Sequence, residues 1–235
     1  MKKTTLILLI IILILSYSNH IAFAESKDER TVYLTFDDGP SANTAKVLDI
    51  LKEYNVKATF FVVKRENYES LYRRILREGH SLGGHSASHN YQQIYSDSKC
   101  YFKDLNELKH YVYKLTGYNF QIIRFPGGSN NTISRRYARK DIMTQLTEEA
   151  ISYGYTYYDW NVDARDSYKP LYSSEKISEG VIQQCLYFKK AMVLMHDSPN
   201  KINTPDSLPL IITTLRSKGY VFRRITDDTP IIIFD

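Results

Sequence analysis

Short apolar runs rich in β-branched and aromatic residues alternate with longer stretches of helical period along most of the chain, and this alternation restricts the fold more than any other feature. Residues 31–36 precede the helical stretch 44–54, and residues 58–63 precede 68–78. Strand, helix and strand in succession build a βα unit whose strands run parallel. In the first helical stretch Val47, Leu48, Ile50, Leu51 and Tyr54 form one apolar stripe, and Ser41 or Asn43 stands where an N-cap is needed. Strand-like segments recur at 121–124, 155–158, 191–195 and 220–223, and helical ones at 105–115, 141–153, 175–186 and 206–218. With a weak segment at Ser81-Leu82, about seven parallel strands result. A closed or nearly closed β/α barrel accommodates such a series better than an open sheet, and reactive residues are expected where its strands end.

The start of the chain reads differently. Lys2 and Lys3, an apolar run from Leu6 to Leu15 and the small-residue site Ala22-Phe23-Ala24 follow the order of a secretory signal peptide cleaved after Ala24. A retained anchor is the alternative, since residues 4–24 approach the ~20 residues that span a bilayer. Residues 25–235 then suit one domain with a single core, and no second module is expected. Export implies a protein that is secreted or associated with the cell wall. The formal charge of +5 falls to +3 without Lys2 and Lys3, and no block of basic residues interleaved with aromatics occurs. Nucleic-acid binding is therefore not expected, and no obligate protein partner is predicted. Cys100 and Cys185 are far apart and lack the spacing of a zinc or redox motif; sequence leaves open whether they pair.

Polar residues cluster at the strand ends. Residues 31–36 run into Asp37-Asp38-Gly39-Pro40, two carboxylates where the chain turns, of which one can face a metal and the other substrate. Such a turn is also common for purely local reasons. His85 and His89 are four residues apart, so on a helical turn they share a face and can bind one ion, although a surface histidine pair has the same spacing. Gly83-Gly84 ahead of them suggests a tight backbone approach. With one Asp, the pair makes a two-histidine, one-carboxylate site with open positions. Arg124, before Phe125-Pro126-Gly127-Gly128, can hold a carboxylate by paired hydrogen bonds. Asp159-Trp160 and His196-Asp197 each follow a strand segment. Singly, each residue has a structural explanation; five strand ends together deliver the residue types that metal-assisted amide hydrolysis needs.

In this order the five segments resemble the motifs of the polysaccharide deacetylase family, the carbohydrate esterases with the NodB homology domain, over roughly residues 31–223. The resemblance implies a distorted (β/α) barrel around one divalent ion, with zinc the first choice and cobalt, nickel or manganese as alternatives. It implies Asp37 as catalytic base, Asp38, His85 and His89 as metal ligands, and Arg124 as the residue that positions the base. It further implies His196 as general acid tuned by Asp159, with Trp160 and Leu194 beside the acetyl methyl group. Gly127 would donate its N–H to the oxyanion. One departure is that many members carry an aromatic residue where this chain has Gly127-Gly128, which is expected to open or reshape that wall.

The function so implied is removal of N-acetyl groups from an amino-sugar polymer, with peptidoglycan N-acetylglucosamine as first substrate. Chitooligosaccharide, a β-1,6-linked N-acetylglucosamine exopolymer and acetylated xylan are alternatives. Two other classes compete: a sugar-binding protein that has lost turnover, and a metal hydrolase acting on a small cyclic amide.

Overall fold

The computed structural model describes residues 29–138, 141–168 and 171–234; the expected signal peptide lies outside the described residues. Its strands are β1 (Thr31–Asp37), β2 (Thr59–Val63), β3 (Ser81–Ser86), β4 (Ile122–Ile123), β5 (Thr156–Tyr157), β6 (Val162–Asp163), β7 (Lys190–His196) and β8 (Val221–Phe222). Between them lie α1 (Ala42–Glu53), α2 (Glu69–Arg77), α3 (Tyr91–Ile94), α4 (Ser98–Thr116), α5 (Ile142–Ser152), α6 (Ser174–Cys185) and α7 (Thr204–Ser217). The strand order is β5-β4-β3-β2-β1-β7-β6, with β8 beside the start of β1. Every pairing is parallel.

The outer strands of this path, β5 and β6, are joined by residues 158–161 alone. Flat, the path would put its edges roughly 29 Å apart at ~4.8 Å per strand spacing. The connecting chain reaches at most ~18 Å. The sheet therefore curls until its edges approach, giving the distorted β/α barrel that the sequence predicts. Each of the seven expected strands is present, and β6 is an addition whose one apolar residue, Val162, stands between Asn161 and Asp163 and gives no strand-like run.

Alternation along β1 separates two interiors. Val32, Leu34 and Phe36 join Val47, Leu48 and Leu51 of α1 in the layer between sheet and helices. Tyr33 points into the barrel, where it packs with Phe61, Tyr158, Met192 and Ile225. Thr35 and Asp37 follow Tyr33 at period two and are buried, so the apolar plug of the barrel gives way to polar groups toward the strands' C-terminal ends.

Local chemistry fixes the pieces that carry those ends. Ser41 is the N-cap of α1: its hydroxyl accepts from Asn43 N at 3.0 Å, and Thr44 Oγ1 accepts from Ser41 N at 2.7 Å, a reciprocal box. In β3, a Cβ on Gly83 would lie 2.7 Å from the Phe61 ring, and one on Gly84 2.5 Å from the Phe120 ring. The tight approach expected at Gly83-Gly84 is thus real, and it lets β3 be squeezed between the barrel interior and α4. Cys100 and Cys185 are both free thiols, Cys185 buried.

The glycines therefore differ in what they tolerate. Gly84→Ala should destabilise the protein by about 1–3 kcal/mol through overpacking. Gly180→Ala, in α6 with nothing within 4 Å of an added Cβ, should stabilise it by about 0.5–1 kcal/mol. Urea denaturation of the two variants checks the opposite signs.

Candidate metal and acid–base site

At the C-terminal end of the barrel, Arg124 is fully buried and follows β4. Its Nη1 donates to Asp37 Oδ1 at 3.0 Å and to Thr35 Oγ1 at 2.6 Å, both on β1. Nε donates to the Tyr158 carbonyl at 3.0 Å and Nη2 to the Asp159 carbonyl at 2.8 Å. The guanidinium also stacks over Phe61, 4.4 Å from the ring centre. Its hydrogen bonds thus tie Asp37 to the segment that bridges the gap in the barrel. Arg124 does hold a carboxylate, but through one hydrogen bond rather than the expected pair, its other donors going to Thr35 and two backbone carbonyls.

Asp38 follows β1 directly and has a positive φ of 72°. In a continued strand its side chain would face the helices, opposite Asp37; the left-handed turn brings it to the mouth of the barrel. His85, within β3, places Nδ1 2.7 Å from the Arg124 carbonyl. A carbonyl only accepts, so Nδ1 carries the proton and the neutral ring presents a lone pair at Nε2. That Nε2 is 3.5 Å from Asp38 Oδ1, and His89 Nε2 is 3.0 Å from the same oxygen.

The histidine pair is not built on a helical turn as its spacing suggested. His85 is the last but one residue of β3, and the chain reverses so that His89, at φ 51°, returns its ring to 5.3 Å from that of His85. The Asp104 carboxylate accepts from the backbone N–H groups of Ala87 and Ser88, and Ser86 Oγ accepts from His89 N at 3.0 Å. These bonds hold the reversal.

The donor set fits one divalent cation. Ligand atoms of Asp38, His85 and His89 all lie within 4.8 Å of one another, and ~2.0–2.2 Å bonds in tetrahedral geometry would place ligands ~3.3–3.5 Å apart. Asp38 Oδ1 is buried and makes no well-directed hydrogen bond; its polar neighbours are the Nε2 atoms of His85 and His89, so three ligand-type atoms converge on one point. Burial disfavours charge on Asp38, yet His89 and His85 outweigh it and hold the carboxyl well below the usual range. Burial pushes His85 down despite Asp37 and Asp38, which favours the neutral, ligating form.

Opposite this cluster, β7 pairs with β1 in register through Asp37↔His196, so the two side chains come from neighbouring strands. Asp159 does not touch His196, contrary to the sequence expectation. The carboxylate on His196 belongs to Asp166: Oδ1 is 2.7 Å from His196 Nδ1, and Oδ2 accepts from His196 N at 2.7 Å and from Thr204 Oγ1 at 2.8 Å. Burial alone would lower His196, but Asp166 overrides it and raises the imidazole to about 9. Asp166 escaped sequence reasoning because it follows β6 in a segment without strand period; its signal was the pair of further acids, Asp163 and Asp166, shortly after Trp160.

Asp159 instead fastens loops. Its Oδ1 accepts from Ser129 N at 2.8 Å, and Oδ2 accepts from Ser129 Oγ at 2.5 Å and Phe234 N at 3.0 Å. Asp159 N donates to the Ile232 carbonyl at 2.8 Å. Gly127 and Gly128 have φ of 82° and 89°. The wall beside them is not open: a Cβ on Gly127 would meet Tyr91 Oη at 3.1 Å, and one on Gly128 the Phe234 ring at 2.8 Å and Trp160 at 3.1 Å. Trp160 is half-buried, and Leu194 lies two positions before His196 on β7, nearly buried. Asp197, to which sequence assigned no role, is buried beneath Gly39; its carboxylate accepts from Thr44 Oγ1 at 2.6 Å and its N–H donates to the Asp37 carbonyl at 3.2 Å.

The profile of the polysaccharide deacetylase family matches residues 24–146. The Bacillus subtilis protein YheN, whose name assigns it to that family, is 32% identical over 92% of this chain and 74% of its own. A peptidoglycan-N-acetylglucosamine deacetylase of Bacillus cereus is 30% identical over 89% of this chain and 93% of its own. The crystal structure of the catalytic domain of peptidoglycan N-acetylglucosamine deacetylase from Eubacterium rectale superposes with a TM-score of 0.86 at 36% identity, covering 92% of this chain and 97% of that one.

The two acids near the site should separate in an NMR titration. In Asp166→Asn the His196 pKa should fall from about 9 toward its ordinary 6.5, because the opposing carboxylate is gone. In Asp159→Asn it should stay in place while thermal stability drops. A shift confined to Asp159→Asn would reverse the assignment.

Proposed function

The chain belongs to the polysaccharide deacetylase family, and from that premise we propose an exported hydrolase that removes the acetyl group from N-acetylglucosamine in peptidoglycan, using one divalent ion, zinc first, held by Asp38, His85 and His89. The observation that carries the metal reading is the convergence of the buried Asp38 Oδ1 and two imidazole nitrogens within 4.8 Å of one another. The substrate reading is supported by relatives named as peptidoglycan-N-acetylglucosamine deacetylases. Export is supported by the leader-like pattern of residues 1–24.

When bound, the ion supplies a Lewis acid for the acetamide carbonyl and a water of lowered pKa. The residues supply the proton traffic. Asp37, oriented by Arg124, takes the proton of the attacking water. Negative charge grows on the carbonyl oxygen, and the Gly127 N–H donates to it; one such donor is worth ~2.7–4 kcal/mol. His196 gives a proton from Nε2 to the departing nitrogen, since Nδ1 is engaged by Asp166. Trp160 and Leu194 border the methyl group. Base and acid are therefore separate groups on adjacent strands, each with its own partner: an arginine that orients Asp37, and a carboxylate that keeps His196 charged and ready to donate.

Acetate release from peptidoglycan and from N-acetylglucosamine oligomers, with product mass measured, tests the reading. Chelation should abolish activity and a divalent ion restore it; full turnover in protein shown by elemental analysis to be metal-free would overturn the mechanism. His89→Ala should lose both metal and rate. Asp37→Asn should retain metal while kcat falls by roughly 10²–10⁴-fold, and near-normal turnover at matched occupancy would remove Asp37 from its role.

A further inference from the structure

We propose that Phe234 contacts the glycan, as an aromatic wall that residues 230–234 lend to the groove beside Gly127-Gly128; the inference rests on the deacetylase reading above. Those glycines carry no side chain of their own, and the space beside Gly128 is filled by Phe234 and Trp160. The two rings meet edge to face, centroids 4.9 Å apart at 82°.

Phe234 is held rather than merely adjacent. Its N–H donates to Asp159 Oδ2 at 3.0 Å, and the Ile232 carbonyl accepts from Asp159 N at 2.8 Å, a two-way clamp. The carbonyl of the same Asp159 accepts from Arg124, which holds Asp37. Ring and reacting carboxylate thus share one rigid frame. Although clamped, Phe234 is only half-buried. It also lines a hollow of about 260 Å³ together with Asn130, Arg135, Asp141, Thr144 and Tyr157. An aromatic face beside polar side chains is the chemistry that receives a pyranose, whose ring has an apolar C–H face and a hydroxyl rim. A sugar next to the one undergoing deacetylation would lie against Phe234 and hydrogen-bond within this hollow.

Trp160 is the only tryptophan in the sequence and touches Phe234, so its fluorescence reports binding without turnover. The metal-loaded protein is titrated with the product, a tetramer of glucosamine, and KM and kcat are measured on the N-acetylglucosamine tetramer. In Phe234→Ala both the dissociation constant and KM should rise about tenfold, the scale of one lost aromatic contact, while kcat changes less than about threefold, uniform binding being lost. Phe234→Tyr should restore binding; Phe234→Leu, which keeps bulk without a ring face, should not. If Leu restores affinity as fully as Tyr, or if Phe234→Ala binds as wild type does, the inference is overturned. Wild-type protein that neither binds nor deacetylates any such oligomer would instead overturn the functional reading on which it rests.

Discussion

The buried contact between Arg124 and Asp37 is the constraint on which the rest of the structure depends. A guanidinium buried in a barrel is tolerable only if its N–H groups are satisfied, and Arg124 finds its acceptors on β1 and on the segment that crosses the barrel gap. One side chain therefore closes the sheet and aims a carboxylate. Removing one partner from a buried pair costs on the order of 3–5 kcal/mol, so substitution of Arg124 would confound folding with chemistry. For that reason the neighbouring carboxylates are the more informative positions.

Asp37 and Asp38 show how adjacent residues of one type acquire different tasks. Asp37 keeps the strand conformation and faces an arginine, whereas Asp38 turns left-handed and faces two imidazoles. The turn is held from below by Asp197, whose N–H donates to the Asp37 carbonyl and whose buried carboxylate takes the room a side chain at Gly39 would need. Burial foremost, helped by Asp38 and Asp37, pushes Asp197 up to about 7, so much of the negative charge that three neighbouring carboxylates would carry is avoided.

Much of this was legible in the sequence because strand ends carry a period-two run followed by a polar break. The seven expected strand segments are present, the N-cap expected at Ser41 or Asn43 falls at Ser41, and Asp37, Asp38, His85, His89, Arg124 and His196 all stand near the strands' C-terminal ends. What failed had physical reasons. The i, i+4 spacing of His85 and His89 is shared by a helical turn and by a strand that reverses, and only the bonds to Asp104 and Ser86 decide between them. Strand β6 is as short as β4, β5 and β8 but holds a single apolar residue, Val162 between Asn161 and Asp163, and so lacks the apolar run that marks the others. Asp159 directly follows a strand segment while Asp166 does not, yet Asp159 fastens the segments that carry Ser129 and Phe234, and Asp166 reaches His196 through a turn in which Arg165 has a φ of 55°.

The curled path of the sheet also sets an order in which the site can come into being. Asp38, His85 and His89 all belong to the β1–β3 part of the chain, where consecutive elements pair with one another. The acid side cannot join until β7 inserts beside β1, closing a loop across a separation of 159 residues. By chain entropy alone that longer closure costs only about 1 kcal/mol more than the loops among the ligands, but long-range pairing strongly slows folding. In a chain that folds in that order, the three side chains that would hold a cation can meet before the acid side is complete. The ion would then act first as a folding ligand, stabilising the early half by mass action, and only afterwards as part of a catalyst.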